Sequence, residues 1–185
     1  RSVGLPTVLL NEVTVMELNR RYGLPPTMGS DRLAAIVEAR ALYPGRNILV
    51  IDSGSCITYE FISPDGTYLG GNISPGVYMR LHAMHIGTAL LPQVSLEGDT
   101  PQIGYDTDTA MRAGSVHGVN YEIEGYIRHL HAQHPDLVTI ISGGADTKID
   151  SGGAELVFDR DLVMKGLRRI LLETGSQNGA ITAKH

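Results

Sequence analysis

The chain has 185 residues, 42% hydrophobic and 19% charged, which is enough apolar content to bury a sizeable core in one or two domains. A net charge of -5 with no basic run argues against a nucleic-acid surface, and no apolar run is long enough to span a bilayer. A lone cysteine, Cys56, excludes an internal disulfide framework; with no signal peptide visible, it suits a reducing, cytoplasmic compartment. Val8–Leu10 is a short apolar run with strand character, followed by a polar segment through Arg21. Tyr22–Gly29 contains Pro25 and Pro26 and cannot be regular structure. Ser30 suits an N-cap, and Asp31–Ala39 reads as a helix that Pro44-Gly45 terminates.

Asn47–Asp52 is apolar and β-branched up to its final carboxylate, as in a fully buried strand. Ile57–Ile62 returns as a second strand. Ser63-Pro64-Asp65-Gly66 is a hairpin turn, and Thr67–Leu69 opens a third strand that runs into Gly70-Gly71-Asn72-Ile73-Ser74-Pro75-Gly76. Val77–His85 has helical spacing, and Ser95–Gly104 is a polar loop. Asp106-Thr107-Asp108-Thr109 starts a helix that extends to about His131, with Ala110, Ala113, Val116, Ile123, Ile127 and Leu130 near one face. Leu137–Ser142 is a second buried strand that delivers the chain to Gly143-Gly144. Leu156–Phe158 is a short strand, Leu162–Glu173 an amphipathic helix, and Gly175–His185 a loose tail. This order of elements predicts an α/β architecture with mixed strand directions.

Three sets of residues carry candidate chemistry. A carboxylate at a buried strand end is costly without a partner, so Asp52 suits cation binding. Gly54 allows close backbone approach, Ser55 adds a hydroxyl, and the amides of such a turn can form an anion nest. An ordinary Asp-Ser-Gly hairpin turn accounts for the same residues, and both readings stand at this point. Gly143-Gly144 lies at another strand end, and the two glycine turns could face each other across a cleft and hold the two ends of a nucleotide. Neither a P-loop nor a G-x-G-x-x-G fingerprint is present. Asp31 sits where a helix macrodipole favours a carboxylate able to deprotonate a hydroxyl, and Arg32 suits bidentate capture of a carboxylate. Local residues alone favour a first-turn acid and a solvated arginine. His82, His85, His129, His131 and His134 read as surface or helix-end residues rather than a metal set, and Cys56 as a small hydrophobe.

In combination these motifs resemble the type III pantothenate kinases of the acetate kinase/sugar kinase/Hsp70/actin superfamily. The resemblance runs from Tyr22 to about Leu172. Gly29-Ser30-Asp31-Arg32 is similar to the family's G-x-D-R, Asp52-Ser53-Gly54-Ser55 to its D-x-G-[ST], and Gly70–Gly76 to GG-x-I-x-PG. Thr88–Pro92 is similar to TA-x-LP, Asp106–Gly114 to N-T-x-x-A-x-x-x-G, Ser142–Asp146 to TGGD, and Leu162–Leu167 to L-x-x-x-GL. Cys56 stands where the family usually has Ala, Ser142 where it has Thr, and Asp106 where it has Asn.

The resemblance implies a ribonuclease H-like, two-lobed actin-like ATPase fold. Residues 1–46 would be a remnant of the first lobe carrying the pantothenate-side helix, 47–174 the second lobe and 175–185 a tail. It implies ATP-dependent phosphorylation of pantothenate, the first step of coenzyme A synthesis, with Mg²⁺ and a monovalent cation, K⁺ or NH₄⁺. Asp31 would be the base, and Tyr22, Gly29, Ser30 and Arg32 would bind pantothenate. Thr107 would serve the neighbouring subunit of a homodimer. Asp52 would hold a cation, Gly54 and Ser55 phosphate, and Gly143 and Gly144 adenosine. The family's first phosphate motif, D-x-G-N-[ST], does not occur before Tyr22, and the chain opens at Arg1. The expectations are therefore a missing native N-terminal segment, an incomplete first lobe and weak or absent turnover for this exact chain. Alternatives are a non-catalytic regulator on the same fold, or a kinase for another small hydroxy substrate.

Overall fold

The computed structural model describes residues 10–144 and 149–181, with side chains to 174. Helices α1 (Glu12–Arg21) and α2 (Ser30–Leu42) precede a three-strand meander of β1 (Ile48–Ser53), β2 (Cys56–Ile62) and β3 (Tyr68–Pro75). Helices α3 (Val77–Gly87) and α4 (Thr107–Gln133) follow, then β4 (Val138–Gly143), β5 (Glu155–Phe158) and α5 (Leu162–Ile181). The sheet order is β3-β2-β1-β4-β5, antiparallel across β3-β2-β1 and parallel across β1-β4-β5.

Side chains of a strand alternate between faces, so β1 feeds two cores. Ile48 and Val50 join Ile62, Val138 and Ile140 beneath α1, α2 and α5, where Leu18, Leu33, Ile36 and Ile170 are buried. Leu49 and Ile51 join Ile57, Tyr59 and Ile141 against Val119, Ile123 and Ile127 of α4. The sheet is thus covered on both faces. Helices α2 and α5 cross so closely that a Cβ on Gly166 would lie 2.0 Å from the Ala34 carbonyl oxygen.

The structure departs from the sequence expectation in several places. Part of the Val8–Leu10 run, and Ala145 and Asp146, lie outside the described residues. The polar segment before Arg21 is helix α1, capped by Asn11, whose side chain accepts from the Thr14 N–H at 2.9 Å. Its polarity hides the helix because only Leu18 and Asn19 are buried. The N-cap of α2 is Gly29 rather than Ser30, with no side-chain cap bond. On α4 the buried stripe includes Met111 and Val119, whereas Ala110 is exposed. Helix α5 passes Gly175 and continues to Ile181, since no proline interrupts it.

Candidate active site

Parallel pairing of β1 with β4 sets Asp52 beside Ser142 and Ser53 beside Gly143. The two glycine turns therefore abut at one end of the sheet and do not face each other across a cleft. Gly143 has φ +91, and a Cβ there would lie 2.2 Å from the Ser53 carbonyl oxygen. Only glycine fits a left-handed backbone in that contact. The Gly144 N–H donates to Ser53 O (3.1 Å) and the Gly54 N–H to Cys56 O (2.9 Å), so these two amides close the turns and are not free for an anion nest. Gly54 and Ser55 are nonetheless exposed, and the atom nearest to a Cβ on Gly54 would be Cys56 O at 3.7 Å, which leaves the outer side of the turn open. The turn is backed by Gly76, whose N–H donates to Ser55 O (3.0 Å).

Half-buried Asp52 points into this end. Burial raises its carboxyl above the ordinary range; the Ser142 hydroxyl bonded to it opposes the rise, and the nearby Asp31 charge adds to it. Asp31, exposed in the first turn of α2, is thus close enough to Asp52 for the two carboxylates to repel. Its Oδ1 lies 2.6 Å from where a Gly29 Cβ would stand, so the carboxylate folds back over the N-cap of its own helix. The loop before Gly29 is held by Asn19, fully buried, whose amide donates to Met28 O (2.8 Å) and Pro26 O (3.3 Å).

Arg32 leaves α2 toward β2. Its Nε and Nη2 fork onto Glu60 at 2.5 and 2.9 Å, and Nη2 also donates to the Tyr68 hydroxyl at 3.2 Å. The Glu60 bond holds the guanidinium above its usual pKa, against the lowering effect of burial. Burial, then the bond to Glu60, pushes Tyr68 up to about 12. Arg32 is thus already bidentate to a carboxylate within the chain.

Not every expected residue converges here. Ser30 is half-buried in the first turn of α2, beside Asp31. Tyr22 lies toward the other end of that helix: Arg40, in the last turn, donates to its carbonyl (2.8 Å), and its hydroxyl bonds Glu173. Burial and Glu173 push the Tyr22 hydroxyl up to about 12. Thr107 is exposed at the start of α4, the helix on the opposite face of the sheet from α2. Asn19 and Glu60 were missed from sequence. Glu60 left one signal, a lone carboxylate in an otherwise apolar strand, which demands a buried cation.

Comparison with known proteins fits this arrangement. The family model for type III pantothenate kinase matches residues 3–129. The chain belongs to the type III pantothenate kinase family. The type III pantothenate kinase of Phocaeicola vulgatus is 47% identical over 163 residues, covering 88% of this chain and 67% of the relative. That of Porphyromonas gingivalis is 41% identical over 177 residues, covering 92% and 71%. A crystal structure from Campylobacter jejuni, described as a conserved Baf family transcriptional activator, superposes with a TM-score of 0.53 at 23% identity, covering 91% of this chain and 82% of that one. That likeness speaks for the fold alone.

Proposed function

We infer that this protein is a pantothenate kinase, transferring the terminal phosphoryl group of ATP to the primary hydroxyl of pantothenate in the first step of coenzyme A biosynthesis. Family membership supports the reaction. The observation that carries the site is the convergence of Asp31 and Asp52 where the β1 and β4 glycine turns abut.

Phosphoryl transfer needs positioning and charge neutralisation more than covalent help. Asp31 accepts the proton of the attacking hydroxyl. Ser30 and Gly29 line its approach, and Arg32 meets the pantothenate carboxylate. Tyr22 is assigned to pantothenate by the family motif alone, since its hydroxyl is held by Glu173 toward the other end of α2. Gly54 and Ser55 face the phosphates, and Gly143 and Gly144 lie toward adenosine. Among the described residues no group of three or more His, Cys, Asp or Glu forms a metal cluster. Asp52 with its unfavourable burial suits a cation completed by substrate oxygens, as Mg²⁺ prefers. When bound, Mg²⁺ and a monovalent cation, K⁺ or NH₄⁺, supply charge to balance the phosphates. Thr107, away from α2, serves the neighbouring subunit of a homodimer.

The order β3-β2-β1-β4-β5, a meander continued by parallel strands, supports a ribonuclease H-like second lobe over 47–174 of an actin-like ATPase. Residues 1–46 are a remnant of the first lobe carrying the pantothenate-side helix. The proposed setting is cytoplasmic, in keeping with the reducing compartment that the lone Cys56 suits. Among the described residues no helix is long and apolar enough to cross a membrane.

Asp31→Asn in the full-length protein tests the assignment. Turnover is expected to fall by about 10²-fold or more with the fold intact by circular dichroism. Near-normal turnover would remove Asp31 from the role of base.

A further inference from the structure

We propose that Glu60 is the positioning residue that sets which edge of Arg32 meets the substrate carboxylate. The inference rests on the reading of Arg32 as a pantothenate contact.

Glu60 is 1% exposed in the middle of β2, paired with Val50 of β1 and Gly71 of β3. A buried carboxylate there is tolerable only with strong partners, and three donor groups converge on it. Arg32 supplies Nε and Nη2, and the Tyr68 hydroxyl donates to Oε2 at 2.9 Å. Gly71 opposite is required first by the β2 main chain, since a Cβ there would stand 2.2 Å from the Tyr59 carbonyl oxygen; the same Cβ would also stand 2.5 Å from Glu60 Oε2 and 2.8 Å from the Tyr68 oxygen.

A guanidinium presents its donors in a rigid plane. With the Nε–Nη2 edge spent on Glu60 and Nη2 shared with Tyr68, Nη1 is the nitrogen left without a partner among the described residues. The Arg32 side chain keeps 18% exposure, and the substrate contact is assigned to Nη1, the nitrogen that Glu60 and Tyr68 do not occupy. Glu60 thus keeps a long, rotamer-rich side chain in one orientation before substrate arrives, and its contribution is to binding rather than to the chemical step.

The test is steady-state kinetics of the full-length protein with Glu60→Gln, Arg32→Ala and the double variant. Glu60→Gln is expected to raise KM for pantothenate about tenfold, leaving kcat and the KM for ATP within about twofold. In the Arg32→Ala background it should add nothing. An unchanged pantothenate KM, or an effect that adds fully to Arg32→Ala, overturns the proposal. So does a lowered KM, which would make Glu60 a competitor for Arg32. If Glu60→Gln does not fold, Tyr68→Phe removes only one hydroxyl from the cluster; it should raise the same KM about threefold, and no rise overturns the proposal. If Arg32→Ala itself leaves the pantothenate KM unchanged, the pantothenate-contact reading fails, and Glu60 with it, by a result separate from the Glu60 variants.

Discussion

Asp52 carries a charge that its surroundings resist. Its folded-state carboxyl is raised chiefly by burial, with Asp31 adding to the rise and Ser142 only partly offsetting it. The folded protein therefore holds that proton more tightly than the unfolded chain. Its contribution to stability is fully present below the model-compound value of 3.8 and is lost as pH rises through the raised folded value. Asp52→Asn in the ligand-free protein should thus raise the melting temperature at pH 7 and leave it nearly unchanged near pH 3, as read by differential scanning fluorimetry. A lower melting temperature at pH 7 would mean that the ionised carboxylate stabilises the fold. Asp52 and the glycines were singled out in sequence by local signatures, whereas Asp31 was singled out by the family motif, its local residues alone favouring an ordinary first-turn acid. Glu60 and Asn19 were not, since their partners come from elements distant in the chain, Arg32 on another element and the loop at Pro26–Met28. Tyr22 and Thr107 show the converse: a motif names them, but their environment follows from helix packing.

The elements that hold the site are α2 and the paired ends of β1 and β4, and both depend on close backbone contact. Gly166 lets α5 lie against Ala34 of α2, with a Cβ there only 2.0 Å from backbone oxygen. That obstacle is main chain, so Gly166→Ala forces the helices apart. The expected loss is about 1–3 kcal/mol, seen as a lower denaturation midpoint in urea. Equal or higher stability would contradict the crossing as described. β1, β2 and β4 were readable as largely buried apolar runs, and their ends fell close to the expected positions; β3 runs on through the glycine stretch to Pro75, and neither it nor β5 is a buried run. Helix α1 was not readable, because a short helix that buries little has a weak periodic signal. The cap of α2 moved by one residue: Gly29 adopts the extended cap geometry and Ser30 is already helical.

In the molecule as a whole, a mixed sheet with helices on both faces carries the proposed site at one end of two adjacent parallel strands. Ligands of α/β folds collect beyond carboxyl ends of strands, and β1 and β4 share that end. Mixed α/β architecture followed from the order of elements, but the adjacency of β1 and β4 did not, since a helix of 27 residues separates the meander from β4 and sequence does not say where the chain re-enters the sheet. The turns expected to face each other stand side by side for that reason. Family membership and the placement of Asp31 near Asp52 make one central claim: this sheet end phosphorylates pantothenate. The most direct measurement is mass spectrometry of the product after the full-length protein is incubated with ATP, Mg²⁺ and pantothenate. The account predicts ATP-dependent formation of a singly phosphorylated pantothenate, absent without ATP. No phosphorylated pantothenate, with phosphate transferred instead to another hydroxy substrate or to none, would contradict it.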